Sequence, residues 1–116
     1  MIVEYLRYAI PPEQVAAFVQ DYDKAGQVLR QSPFALGFEI SQCVDDPSQF
    51  ILRIEWTSKQ DHLEGFRGSA IFRELLGHIR PYIPMIQEMR HYQPLPGNQE
   101  AYARPAYPLA PSPPLA

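Results

Sequence analysis

Three histidines are the side chains of this 116-residue chain best suited to proton transfer near neutral pH: His62, His78 and His91. A histidine acts as a general base when its pKa lies near the operating pH and the ring reaches a substrate proton. His62 follows Trp56 on a predicted helix, where it is either such a base or a solvent-facing residue. His91 lies on the last predicted strand and could point into a cleft. No two histidines have the i, i+4 spacing of a helix-borne metal site, so we predict no metal ligands.

The first predicted strand carries a second set of candidates. Tyr5 and Arg7 share one face of that strand, whereas Leu6 and Tyr8 share the other. One face must point towards the helices, and the sequence leaves open which one. A tyrosine or arginine there would donate a hydrogen bond to a developing oxyanion. Leu6 and Tyr8 match an apolar inner face, whereas Tyr5 and Arg7 would supply the donors if their face pointed inward. We take Tyr8 as a catalytic candidate and Leu6 as a substrate contact.

Composition narrows the class of protein. The net charge is −3 and the basic residues are scattered singly, which argues against a nucleic-acid surface. No segment approaches the ~20 apolar residues of a membrane span, and no basic amphipathic helix appears. Cys43 is the only cysteine, which excludes an internal disulfide. The segment Met1-Ile2-Val3-Glu4 lacks the basic start of a signal peptide. From these patterns together we expect no membrane contact and a cytoplasmic protein.

Hydrophobic patterns predict the elements of the first half. Residues 2–10 are rich in β-branched and aromatic types and stop at Pro11-Pro12, as a strand does. An apolar stripe at helical spacing predicts a helix from about Pro12 to Gln31. Two alternating runs, residues 34–44 and 49–56, flank a polar turn and predict a β-hairpin.

The second half continues with a helix and a strand. Ser58 fits the N-cap of a helix that breaks near Gly68. A further helical piece carries apolar residues from Ile71 to Ile79 and ends before Pro81. The last strand is predicted from Ile83 to Tyr92 by its alternating pattern.

The order β-α-β-β-α-β predicts an α+β, ferredoxin-like fold over residues 1–93, with both helices on one face of a four-stranded antiparallel sheet. The other face mixes charges with Ile51, Ile86 and Tyr92. Such a mixed face is either solvated or packed on the sheet of a second copy. We expect the second, which gives a homodimer and a dimeric α/β barrel. Seven of the 13 prolines lie in residues 94–116. This tail is predicted to be extended or disordered, as a loose terminus or as an arm across the partner.

The segment Glu55-Trp56-Thr57-Ser58, followed by Gly68-Ser69-Ala70-Ile71-Phe72 and a last strand, resembles the antibiotic biosynthesis monooxygenase domain of the dimeric α/β-barrel group. The likeness covers about residues 1–93. It implies a cleft between sheet and helices that holds a flat aromatic or polycyclic substrate. It also implies oxygen insertion without flavin, metal or haem, in which the carbanion of the substrate reduces O₂.

Some family positions are kept here and others are changed. Trp56 matches the family tryptophan, and Ser69 and Phe72 match an S-x-x-F step. Many members have histidines three residues before that serine and directly before that phenylalanine, whereas this chain has Phe66 and Ile71. The resemblance therefore implies the cleft without its usual imidazoles.

Our leading hypothesis is a cofactor-independent monooxygenase acting on O₂ and a small aromatic, quinol or polyketide-like substrate. The predicted substrate contacts are Leu6, Trp56, Phe66 and Phe72. The predicted catalytic residues are His62, His91 and Tyr8. One alternative is a haem-binding or haem-degrading enzyme, although Leu75 stands where that branch has its iron-ligating histidine. The other is a dimeric module that binds a small ligand without turnover.

Overall fold

A computed structural model of the protein describes residues 1–96. Its antiparallel sheet has the order β2-β3-β1-β4, with the strands β1 (Ile2–Ala9), β2 (Ala35–Gln42), β3 (Gln49–Trp56) and β4 (Ile86–Tyr92). The helices are α1 (Val15–Leu29) and α2 (Ala70–Ile79). Short 3₁₀ helices span Pro12–Gln14 and Arg80–Met85, and a π-helical segment spans Asp61–Phe66. The predicted ferredoxin-like α+β fold is confirmed. The predicted tail falls outside the described residues from position 97 onward.

The core lies between one face of the sheet and the two helices. Leu6 and Tyr8 of β1 point into it, which answers the question of strand orientation that the sequence left open. Alternate residues of β3 are buried on the same face: Phe50, Leu52, Ile54 and Trp56. The buried residues of α1 recur at helical spacing and cover this face: Phe18, Tyr22, Ala25, Gly26, Val28 and Leu29. Burial of these apolar side chains is the main driving force that holds the helices on the sheet.

Helix α1 approaches β2 closely at one glycine. A Cβ atom at Gly26 would overlap the ring of Phe38, so a larger residue here would force the ring or the helix to move. Gly26 thereby sets the distance between helix and sheet at one wall of the core.

Hydrogen bonds to two serine side chains explain where the later helical segments begin. Ser58 Oγ accepts a hydrogen bond from the backbone N–H of Asp61 at 2.9 Å, as its predicted N-cap position requires. Ser69 is the N-cap of α2, and its Oγ accepts from the N–H of Phe72 at 3.2 Å. The S-x-x-F step of the sequence is therefore the start of a helix.

The last strand differs from the prediction. It begins at Ile86 rather than Ile83, because Pro81 and Pro84 lie in the 3₁₀ helix that precedes it. The pairing of β1 with β4 also shifts between Arg7 and Tyr8, so one residue of β4 is inserted as a bulge. The bulge turns Ile86 towards the core, which corrects its expected position on the outer face.

The outer face of the sheet carries paired charges and exposed rings. Arg53 bonds Glu55 at 2.5 Å, and Tyr5 packs edge-on against Tyr92 with ring centroids 5.4 Å apart. Ile51 is 46% exposed on the same face. Within residues 1–96, no helix is both long and apolar enough to cross a membrane.

Candidate active site

A cavity of about 310 Å³ lies between the sheet and the helices. Its wall is mostly aliphatic and aromatic, but Glu4, His62 and Arg67 also line it, together with Tyr8 and Tyr22. The volume is at the lower end of the range of small-molecule sites, about 300–1,000 Å³. A cavity of this size and polarity suits a small, flat, largely apolar ligand.

Glu4 is a carboxyl group buried in the wall of this cavity. Strand β1 directs it to the same face as Leu6 and Tyr8, and it is only 2% exposed. Trp56 Nε1 donates a hydrogen bond to Glu4 Oε1 at 2.9 Å. Burial raises the pKa of Glu4 above its ordinary value, while the Trp56 hydrogen bond and the Arg67 charge oppose that rise. Glu4 is therefore a stronger base than an exposed carboxylate.

His62 lies next to Glu4 and is 3% exposed, so the solvent-facing alternative is wrong. The π-helical segment Asp61–Phe66 presents its ring to the core, where it stacks on Trp56 with centroids 4.2 Å apart and planes 12° apart. His62 Nε2 is 3.6 Å from Glu4 Oε1. Burial, with the Arg67 charge and His91 as smaller causes, lowers the pKa of His62 to about 3. The imidazole is therefore neutral at pH 7.

His91 extends this arrangement towards the surface. Its Nε2 is 2.8 Å from His62 Nδ1, a hydrogen bond whose direction depends on the tautomers of the two rings. Its Cα is the cross-strand partner of Glu4, since β4 pairs with β1. Burial lowers the pKa of His91, and the charges of Lys59 and Arg67 add to this effect. Glu4, His62 and His91 thus form a continuous row of titratable groups, which we call the acid–imidazole row.

Tyr8 and Tyr22 form a second polar feature of the wall. Their hydroxyl groups share a buried hydrogen bond. Burial raises the pKa of Tyr8 to about 12, and burial together with Tyr8 raises that of Tyr22 well above its ordinary value. Both are neutral phenols at physiological pH. One hydroxyl donates to the other, so only the accepting hydroxyl has a proton left to donate to a ligand, and neither can act as a phenolate base.

The residues predicted from the sequence are distributed as follows. The cavity wall contains six of them: Leu6, Tyr8, Trp56, His62, Phe66 and Phe72. His91 contacts His62 but is not among the lining residues. Leu75, at the haem-ligand position of the resembled branch, is also in the wall, whereas His78 is half-buried on α2 and outside it.

The sequence reasoning assigned no role to Glu4 or Arg67. Glu4 could have been predicted from the alternation of β1, because residues 4, 6 and 8 share one face of the strand. If Leu6 and Tyr8 face the core, the carboxyl group of Glu4 does too. No comparable signal marks Arg67, whose position depends on the geometry of the π-helical segment.

This chain is a ferredoxin-like α+β domain with a ligand-sized cavity, and known proteins share its fold. A family model described as antibiotic biosynthesis monooxygenase matches residues 1–76. The uncharacterised protein YczJ of Bacillus subtilis is 24% identical over 76 residues, which cover 66% of this chain and 80% of that protein. The chain therefore belongs to the antibiotic biosynthesis monooxygenase family.

Solved structures show the same fold at lower identity. A provisionally assigned antibiotic biosynthesis monooxygenase from Bordetella bronchiseptica is 21% identical, with a TM-score of 0.68 over 81% of this chain and 96% of its own. Rv0793 from Mycobacterium tuberculosis is 15% identical, with a TM-score of 0.65 over 81% and 94% of the two chains.

Proposed function

We propose that this protein is a monooxygenase that oxidises a small electron-rich aromatic compound, of the quinol or polyketide type, with O₂ and without an organic cofactor. The observation that carries the proposal is the apolar cavity with a buried carboxyl–imidazole pair in its wall. Membership of the monooxygenase family agrees with it. The fold alone would not fix the reaction, because one fold can host many activities.

The shape and lining of the cavity favour an aromatic substrate. Trp56, Phe66 and Phe72 contribute aromatic surface, and Leu6 contributes an aliphatic contact from the sheet. Flat rings pack against such surfaces in offset or edge-on arrangements. When Tyr22 donates the hydrogen bond that the two tyrosines share, the Tyr8 hydroxyl can donate to a phenolic or carbonyl oxygen and stabilise the negative charge that develops there.

Glu4 is the proposed general base. Its carboxyl lies in the cavity wall, and its raised pKa brings its basicity closer to that of a weakly acidic C–H or O–H group. Trp56 holds the carboxyl in position through the 2.9 Å hydrogen bond. This role moves the base from the predicted His62 to the neighbouring carboxyl group.

His62 and His91 are the proposed path along which the proton leaves. A proton on Glu4 passes to His62 Nε2 as the proton on His62 Nδ1 passes to His91 Nε2, so that the His62 imidazole stays neutral throughout. The second step has its 2.8 Å contact already formed, whereas the first spans 3.6 Å and needs a movement of about 0.5 Å. Catalytic hydrogen bonds often shorten in this way only when substrate binds.

The oxidation of a methylene substrate such as an anthrone balances without any other reactant. Glu4 removes one C–H proton, and the carbanion transfers one electron to O₂. Superoxide and the substrate radical combine, which forms a C–O bond, and the peroxide takes up a proton. Loss of the second C–H proton and cleavage of the O–O bond then give a C=O group and water.

The test is O₂ consumption with a panel of quinols and anthrones. We expect saturable uptake by the wild type and a 10²- to 10⁴-fold lower rate with Glu4→Gln, the usual range for loss of a general base. His78→Gln, on the outer part of α2, is the matched control and should keep the wild-type rate. Uptake at background level across the panel, together with saturable binding, would favour a binding module without turnover.

We also propose that the outer sheet face joins two copies into a homodimer. Exposed apolar and aromatic side chains of Ile51, Tyr5 and Tyr92 lie there among charges that are already paired. Ile51→Arg should convert a dimer to a monomer in light-scattering measurements. A wild-type protein that is monomeric at all concentrations would refute this.

A further inference from the structure

The three members of the acid–imidazole row offer ligand atoms to one point. One nitrogen or oxygen atom from each of Glu4, His62 and His91 can be chosen so that all three lie within 4.8 Å of one another. Two imidazoles and one carboxylate form a donor set that binds Zn²⁺ in many enzymes. Sequence spacing gave no sign of it, because the three residues come from three different elements.

The framework holds these ligands in place. Glu4 and His91 are directly paired across β1 and β4, so the backbone of the sheet fixes their separation. His62 approaches from the π-helical segment, and its ring is held by stacking on Trp56. Trp56 also orients the Glu4 carboxyl by its Nε1 hydrogen bond. Second-shell contacts of this kind typically strengthen metal affinity 10- to 100-fold.

The distances require only small adjustments. Ligand atoms at about 2.1 Å from a tetrahedral Zn²⁺ are about 3.4 Å apart. The 2.8 Å contact between His62 Nδ1 and His91 Nε2 would open by about 0.6 Å, and separations of up to 4.8 Å would close by up to about 1.4 Å, through rotation of the carboxylate side chain.

Two positively charged neighbours oppose a cation at this site: Arg67, and Lys59, which acts on His91. Arg67 lies close enough to act electrostatically on all three residues. Its side chain is exposed to solvent, which screens its charge, and the Glu4 carboxylate is itself one of the ligands. The charge of Arg67 should weaken metal binding without preventing it.

We propose that Glu4, His62 and His91 form a binding site for one divalent transition-metal ion, with Zn²⁺ as the probe, and that the ion and the proton path compete for the same atoms. A bound metal ion would occupy lone pairs of the imidazole nitrogens and the carboxylate oxygen. These atoms could then no longer accept a proton, so an occupied site cannot relay protons. The inhibitory consequence rests on the proposed function, whereas the binding itself does not.

Binding is tested by titrating the purified full chain with Zn²⁺ against a chromophoric chelator. We expect one ion per chain, at least tenfold weaker binding with Glu4→Gln, His62→Gln or His91→Gln, and unchanged binding with His78→Gln. Arg67→Gln should bind several-fold more tightly. Equal affinity in the wild type and the three ligand variants, or loss of binding with His78→Gln instead, would overturn the site.

Two further measurements keep the proposal falsifiable if a ligand variant fails to fold. Co²⁺ bound to the wild type should give the intense visible bands of a low-coordinate nitrogen–oxygen site, and a weak octahedral spectrum would contradict it. With an active aromatic substrate, Zn²⁺ should inhibit O₂ consumption in the concentration range where it binds. If Zn²⁺ binds without inhibiting O₂ consumption, or if it stimulates it, the proposed competition between metal and proton path is refuted. The metal site itself is supported in both cases.

Discussion

The buried Tyr8–Tyr22 pair predicts a specific sensitivity to alkaline pH. Both hydroxyls are removed from water, and their folded-state pKa values lie above the ordinary value of 10.0. The unfolded chain therefore loses protons above pH 10 that the folded chain retains. The stability that the two buried phenols contribute is fully present below pH 10. It is lost as the pH rises towards about 12, where Tyr8 ionises in the folded state.

The magnitude follows from the shift. At pH 11, one pH unit above the unfolded value, the raised pKa of Tyr8 corresponds to about 1 kcal/mol of lost stability, and the raised pKa of Tyr22 adds to this loss. Replacing both hydroxyls, in Tyr8→Phe/Tyr22→Phe, removes this loss. At pH 8 the double variant should be close to wild type, because both partners of one hydrogen bond are deleted together. Tyr22→Phe alone should cost about 1–3 kcal/mol there, since it leaves the Tyr8 hydroxyl without its partner.

The assay is urea unfolding at pH 8, 9 and 11, followed by tryptophan fluorescence. Between pH 9 and pH 11, the free energy of unfolding should fall by at least about 1 kcal/mol less in the double variant than in the wild type. Tyr92→Phe, which alters a half-exposed ring on the outer face, is the control and should follow the wild type. Equal losses in the wild type and the double variant would refute the burial of this pair.

Three further predictions concern the supports of the site. Trp56→Phe removes the donor to buried Glu4 and should destabilise the protein by about 1.5–3 kcal/mol beyond the loss of packing. A double-mutant cycle with Glu4→Leu isolates this excess, and a coupling energy of zero would show that the two side chains do not interact. Ser69→Ala should cost about 1 kcal/mol in urea unfolding by removing the N-cap of α2, and Ser69→Asp should restore most of it, whereas no loss with Ala would contradict the cap. Gly26→Ala should destabilise by about 1–3 kcal/mol because its Cβ overlaps Phe38, and Phe38→Leu should relieve part of that cost; a neutral Gly26→Ala would contradict the close approach.

Secondary structure was predicted well from the sequence where one local pattern determines it, such as strand alternation or a helix N-cap. The strict alternation from Gln49 to Trp56 gave β3 with its observed bounds. Ser58 has the predicted capping contact. The start of β4 was wrong because a short 3₁₀ helix accommodates Pro84, and alternation alone does not distinguish that from an extended strand.

The candidate site depends on contacts that local patterns do not contain. His62 and His91 are 29 residues apart, and their contact requires the pairing of β1 with β4 and the placement of the π-helical segment above it. The bulge that turns Ile86 inward is likewise a property of strand pairing. Glu4 could have been recognised from strand parity, but its hydrogen bond to Trp56 requires the register of β1 against β3, in which Ile2 is the partner of Trp56.

The proposed reaction inserts one oxygen atom of O₂ into an aromatic substrate bound in the cavity. Its most direct test is mass spectrometry of the product formed under ¹⁸O₂ from the anthrone that gives the highest uptake rate. We expect one ¹⁸O atom in the new carbonyl group and its loss in parallel with O₂ consumption when Glu4 is replaced by Gln. A product whose new oxygen comes from water, or labelled product formed at the same rate without the protein, would contradict the proposed reaction.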